Sequence, residues 1–114
     1  MMPNIDARLL TDSMIYHEFE STDHWHKPTY KESCTINGIR LEENLITESI
    51  GNGTSRIISR AIAFVYASGT TPFVTTFKRH SKIEANGKIY TINRVINIKE
   101  PFTHKIWSIE LELI

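Results

Sequence analysis

The last ten residues, Lys105–Ile114, alternate without a break: Trp107, Ile109, Leu111 and Leu113 occupy one set of positions, and Ser108, Glu110 and Glu112 the other. Successive side chains of an extended chain point to opposite faces, so a period of two demands a β-strand with one buried side. A helix would scatter the same four apolar residues around its circumference. Shortly before this strand stands Asn86-Gly87, between Lys82-Ile83-Glu84-Ala85 and Lys88-Ile89-Tyr90-Thr91-Ile92. Asn-Gly supplies the two positive φ angles of a type I′ turn, which makes it the strongest short-range signal for a β-hairpin. The rest of the chain must cover the apolar face that these strands create.

Upstream, the alternation recurs in shorter pieces. Residues 3–10 suit a short helical turn capped by Asn4, with Leu9 and Leu10 inward. Ser13–Glu20 reads as a strand with Met14 and Tyr16 opposed to Ile15, His17 and Phe19. Residues 21–31 break the pattern around Pro28 and read as a turn, with the rings of Trp25 and Tyr30 over the mouth of the core. Glu32–Glu43 is a strand with Cys34, Ile36, Ile39 and Leu41 inward, in which Asn37-Gly38 marks either a hairpin or a bulge.

Residues 42–55 read as a mobile loop or edge segment, and Arg56–Tyr66 as the longest strand. From Ala61 onward that strand is apolar on both sides, with Ile62, Phe64 and Tyr66 opposed to Ala61, Ala63 and Val65. Such a pattern calls for cover on two faces, the second from a loop of the same chain or from a neighbouring subunit. Phe73–Phe77 suits a short strand or an ordered loop edge. In Lys88–Ile98 the apolar set Tyr90, Ile92, Ile96 and Ile98 is interrupted by Arg94, and Pro101 ends the run. About five to seven short strands with no long helix give an all-β fold, a small β-barrel or sandwich with long loops and at most one or two short helical turns. Residues 1–114 are read as a single domain, a length that buries a core without metal or disulfide support.

Composition narrows the function classes. Lys plus Arg equals Asp plus Glu, 13 of each, so the chain lacks the cationic excess of a broad nucleic-acid groove. The lone cysteine, Cys34, forms neither an internal disulfide nor a zinc site and reads as a small buried hydrophobe. Asp23-His24-Trp25-His26 offers a carboxylate and two imidazoles, but nothing supplies further ligands. Phosphate-binding glycine loops, nucleophile elbows and metalloprotease helices are all missing. Glu42-Glu43, Glu110 and Glu112 read as solvent-facing carboxylates. No catalytic, cofactor or metal site is therefore expected. No apolar run approaches a membrane span and no signal-peptide pattern opens the chain, so synthesis in a cytoplasm is expected. The concentrated basic segment is Lys78, Arg79, His80 and Lys82, the candidate contact for DNA or an acidic partner.

Several stretches, in order, resemble the minor capsid protein family of tailed phages and prophages. They are Leu9-Leu10-x-x-Ser13-x-x-Tyr16-x-Glu18, Asp23-x-Trp25-x-x-Pro28-x-Tyr30, Ile36 with Arg40 before an acidic stretch, Ser81-Lys82-Ile83-x-x-x-Gly87-x-x-Tyr90-x-Ile92, and His104-x-x-Trp107-x-Ile109-Glu110-Leu111. The resemblance implies a non-enzymatic virion part, a head–tail connector of the stopper or head-completion kind. Such a protein forms a ring below the portal, extends the DNA channel, and meets portal or adaptor and tail proteins and the packaged DNA. No membrane, small-molecule substrate or cofactor is implied. Residues 44–55 and 67–80 are the loops expected to reach a neighbour or the channel. The alternative is a small β-barrel that binds single-stranded nucleic acid, with Tyr66, Phe73, Phe77 and Tyr90 as stacking rings.

Overall fold

A computed structural model describes residues 7–43 and 46–114. Among them the strands are β1 (Asp12–His17), β2 (Phe19–Thr22), β3 (Pro28–Tyr30), β4 (Cys34–Glu42), β5 (Ile46–Gly51), β6 (Thr54–Ser59), β7 (Ala61–Tyr66), β8 (Lys82–Ala85), β9 (Lys88–Lys99) and β10 (Ile106–Leu113), preceded by a 3-10 turn at Ala7–Leu9. Six of them close into an antiparallel barrel in the order β1-β4-β7-β10-β9-β8. The alternative of barrel or sandwich is thus decided for the barrel. The other four strands form two separate ribbons, β2-β3 and β5-β6; they take in most of the expected turn at 21–31 and loop at 42–55, together with the ends of the expected strands Ser13–Glu20 and Arg56–Tyr66.

Six strands leave no lumen, so the interior is a packed core. Met14, Tyr16, Ile36, Ile39, Ala61, Ala63, Val65, Ile83, Ile92, Ile109, Leu111 and Leu113 fill it. The paired rows are explicit: Leu113 opposes Ala61, Leu111 opposes Ala63, and Ile109 opposes Val65. Small residues on β7 thereby make room for the leucines of β10. At the Asn86-Gly87 turn both residues take positive φ, 50° and 71°, as a type I′ turn requires.

Single inserted residues decide one open expectation and correct two others. Gly38 is a bulge rather than a hairpin turn: the register of β1 on β4 slips between Asp12, opposite Ile39, and Ser13, opposite Asn37. The extra residue is why Ile36 and Ile39, three apart, both point inward. A second slip in β9, between Glu112 opposite Arg94 and Leu113 opposite Ile92, makes Asn93 the extra residue. Tyr90 and Ile92 therefore face the core, whereas Ile96 and Ile98 lie on the outside with Arg94. A third slip, between Ile106 and Ser108, makes Trp107 the extra residue of β10. Ile106 takes the interior position that alternation assigned to Trp107. Bulges re-aim every side chain beyond them without leaving a composition signal.

Other differences have local causes. The chain bends at Arg60, so Arg56–Tyr66 is two strands, one in a ribbon and one in the barrel. Leu10 is buried but Leu9 is 56% exposed, since a 3-10 turn presents neighbouring residues in different directions; Asn4 lies outside the described residues. Trp25 is 72% exposed and covers nothing, because Asp23 Oδ1 accepts from the backbone N–H groups of Trp25 and Lys27 and closes the β2-β3 turn beyond the barrel wall.

The segment after β7 is not a free loop. Asn37 and Thr71 exchange backbone hydrogen bonds at 2.9 Å, and Thr70 Oγ1 donates to Gly38 O at 2.7 Å. Phe77 is buried, and Phe73 and Val74 pack on the core. Residues 67–77 thus close one end of the barrel with no strand of their own.

Candidate assembly interface

The basic segment sits against the β2-β3 ribbon. Ser81 Oγ accepts from Phe19 N–H at 2.9 Å and lies 3.4 Å from Tyr16 Oη, which in turn accepts from Lys78 N–H. This buried knot ties the segment to both the ribbon and the barrel. Lys78 Nζ stands 5.5 Å from the Phe19 ring centroid and Lys82 Nζ 5.2 Å from that of Tyr30, both within cation–π range. His80 meets Phe19 edge-on. Arg79 Nε donates to the carbonyl of Asn93, the inserted residue of the β9 bulge, at 2.7 Å. Lys78, His80 and Lys82 are therefore brought together over the rings of Phe19 and Tyr30, while Arg79 turns to the β9 bulge. Each also has an intramolecular task, which the sequence did not disclose.

Beside it, His17 Nε2 and a Glu84 carboxylate oxygen are 2.9 Å apart across the β1–β8 seam. The hydrogen bond from His17 holds the Glu84 carboxyl below its usual range. Past this pair the seam opens into a groove of about 560 Å³ lined by Met14, Ile15, Ala85 and Ile89 among others.

The β5-β6 ribbon pairs with no barrel strand. It turns through Gly51, Asn52 and Gly53, all at positive φ, and exposes Ile50. Arg56 clasps Glu48 across it, with Nε and a terminal nitrogen 2.9 and 2.7 Å from one carboxylate oxygen. At its root, Glu43 accepts from Lys88 Nζ and Tyr90 Oη. The lysine hydrogen bond holds the Glu43 carboxyl low, while burial and Glu43 together push the Tyr90 phenol up.

The third surface is the outside of β4, β7, β10 and β9. Its rows read Arg40–Phe64–Glu110–Ile96 and Glu42–Ile62–Glu112–Arg94, with Tyr66–Ser108–Ile98 beyond. Trp107 packs edge-on against Tyr66. Phe64, Tyr66, Ile62, Ile96, Ile98 and Trp107 are all half-buried, and none belongs to the core. Burial pushes the Tyr66 phenol above its ordinary value. The doubly apolar run after Ala61 signalled this face; Ile96, Ile98 and Trp107 were hidden by the bulges. Glu110 and Glu112 stand within it, half-buried rather than on open surface.

Among the described residues, no group of three His, Cys, Asp or Glu side chains is placed to hold a metal ion. Cys34 is half-buried and packs on the core. The four rings proposed for stacking share no surface: Phe77 and Tyr90 are buried, Phe73 packs on the core, and Tyr66 belongs to the outer face.

No curated protein and no solved structure matches this chain. One family model, described as minor capsid protein, matches residues 6–113. The match runs from the 3-10 turn to the end of β10, so it takes in the whole barrel, both ribbons and the basic segment. On that near-complete match the chain belongs to the phage minor capsid protein family.

Proposed function

We propose that this protein is a head–tail connector of a tailed phage or prophage, of the stopper or head-completion kind, which forms a ring below the portal, extends the DNA channel and joins head to tail. Membership of the family makes it a structural protein of the virion that associates with other virion proteins. The observation that carries the finer reading is a closed barrel that leaves a projecting ribbon and an apolar outer face to be met by neighbours. Connectors need such a combination: a rigid body, and surfaces completed only on assembly. A structural role also accords with a family of virion parts and with side-chain clusters that serve the fold.

Within this reading, portal or adaptor and tail proteins are the partners, and Lys78, Arg79, His80 and Lys82 meet packaged DNA or an acidic portal surface. So few cations steer and orient more than they bind. The protein is made in the host cytoplasm and ends in the neck of the particle. Removing its gene is expected to yield DNA-filled heads that lose their DNA and carry no tails. Replacing Lys78, Arg79 and Lys82 together with Gln is expected to lower particle yield or DNA retention; normal particles from either change sink the corresponding claim. Salt-sensitive binding of single-stranded DNA by the purified chain would favour the alternative, for which no shared aromatic platform exists.

A further inference from the structure

The β5-β6 ribbon pairs with no barrel strand, the outer face of the barrel is apolar and half-buried, and their features are complementary. Two bulges, at Asn93 and Trp107, turn Ile96, Ile98 and Trp107 away from the core and beside Phe64 and Tyr66. All five stay half-buried. A two-stranded ribbon, for its part, is marginal in water unless it packs on something. This one leaves the barrel at the Arg60 end of β7, where Arg60 N–H donates to Leu113 O, whereas Tyr66 and Trp107 lie at the other end of that strand, about 17 Å away at the usual rise per residue.

Charge points to the same match. On the outer face Glu42 is paired with Arg40, and Glu112 faces Arg94. Glu110, set between Phe64 and Ile96, has no ion-pair partner among the described residues. The ribbon offers Arg56, whose present partner Glu48 is itself half-exposed. An exposed ion pair contributes little, so releasing Glu48 costs little.

We propose that the β5-β6 ribbon of one copy of this chain lies across the outer β7-β10-β9 face of the next, with Arg56 meeting Glu110 and Ile50 packing beside Tyr66 and Trp107. Two different patches are joined, so the contact is heterologous and propagates from copy to copy, closing into a ring if the rotation allows. The inference deepens the connector reading and rests on its self-association.

The test is cysteine cross-linking of the full chain carrying Ile50→Cys and Tyr66→Cys together, oxidised both as concentrated purified protein and in assembled particles, with each single substitution as control. Linked dimers and longer ladders are expected from the double variant alone. Adding Glu110→Arg is expected to cut the ladder at least tenfold, and adding Arg56→Glu to that variant to restore it. Incorporation into particles with no inter-copy link, or with an intrachain bridge only, overturns the ribbon contact and leaves the connector reading standing. Ladders from the purified protein, with none of the chain in particles, retire the connector reading and keep the contact. No ladder in either setting overturns the contact.

Discussion

Trp107 stands edge-on to Tyr66 on the outside of the barrel, ring centroids 5.6 Å apart and planes at 73°. The inserted position of Trp107 in β10 makes this contact possible, and Ile106 fills the interior in its stead. A tryptophan that regular alternation would bury has become part of an external surface.

Trp107→Ala is therefore expected to cost about 1–2 kcal/mol, the loss of an edge-on aromatic pair and of the half-buried ring's own apolar area. Leu111→Ala, in the fully buried row of the same strand, is expected to cost about 2–5 kcal/mol. Urea unfolding of the two variants compares them directly. A larger loss for Trp107→Ala than for Leu111→Ala would return Trp107 to the core.

At Gly38, positive φ (73°) and a close approach act together, since a Cβ there would collide with the carbonyl oxygen of Gly69. Gly53 has nearly the same φ (74°) and open space around it. Gly53→Ala should cost only the conformational strain, about 1 kcal/mol. Gly38→Ala should cost clearly more and loosen the residues 67–77 that close the barrel end, seen as faster amide exchange at Thr70 and Thr71.

Ser81 is fully buried and accepts the backbone N–H of Phe19. Ser81→Ala leaves that donor without its partner, a change expected to cost about 1–3 kcal/mol. The β2-β3 ribbon should lose its docking first, so proteolysis around Trp25 should accelerate before global unfolding. Unchanged cleavage there would mean the ribbon is held by its aromatic contacts alone.

The pH dependence follows from Glu84 and Glu43, whose carboxyls lie below their ordinary value of 4.5, held there first by hydrogen bonds from His17 and Lys88. A carboxyl lowered in the folded state binds fewer protons than in the unfolded chain. Its contribution is complete above the unfolded value and fades as pH falls through the folded one. The melting temperature should thus drop on acidification below about pH 4.5, and Glu84→Gln should flatten that drop while lowering stability at neutral pH. An identical acid profile in the variant would remove the His17–Glu84 pair from the account.

Where sequence and structure agree, the cause is a strictly local rule. Ile109, Leu111 and Leu113 point inward because nothing interrupts the period of two after Ser108, and Asn86-Gly87 turns where it must because two successive positive φ angles suit few other pairs. Ile36 with Ile39 was likewise legible as core, whereas in β1, apolar on both faces, alternation grouped Met14 with Tyr16 without choosing the inward side. The basic segment could be found by charge alone. Its attachment to Phe19 and Tyr30, far away in sequence, could not, because it depends on where the β2-β3 ribbon comes to rest.

By itself the sequence determined that the chain is all-β, which residues alternate, where its hairpin turns, and a resemblance that the family match bears out. Tertiary structure alone decided that six strands close into a barrel, that four stand apart as ribbons, and that Ile96, Ile98 and Trp107 face outward. The physical reason is one of phase: a single inserted residue, held by hydrogen bonds to a distant strand, reverses every side chain beyond it. Local periodicity carries no trace of the partner strand that fixes it.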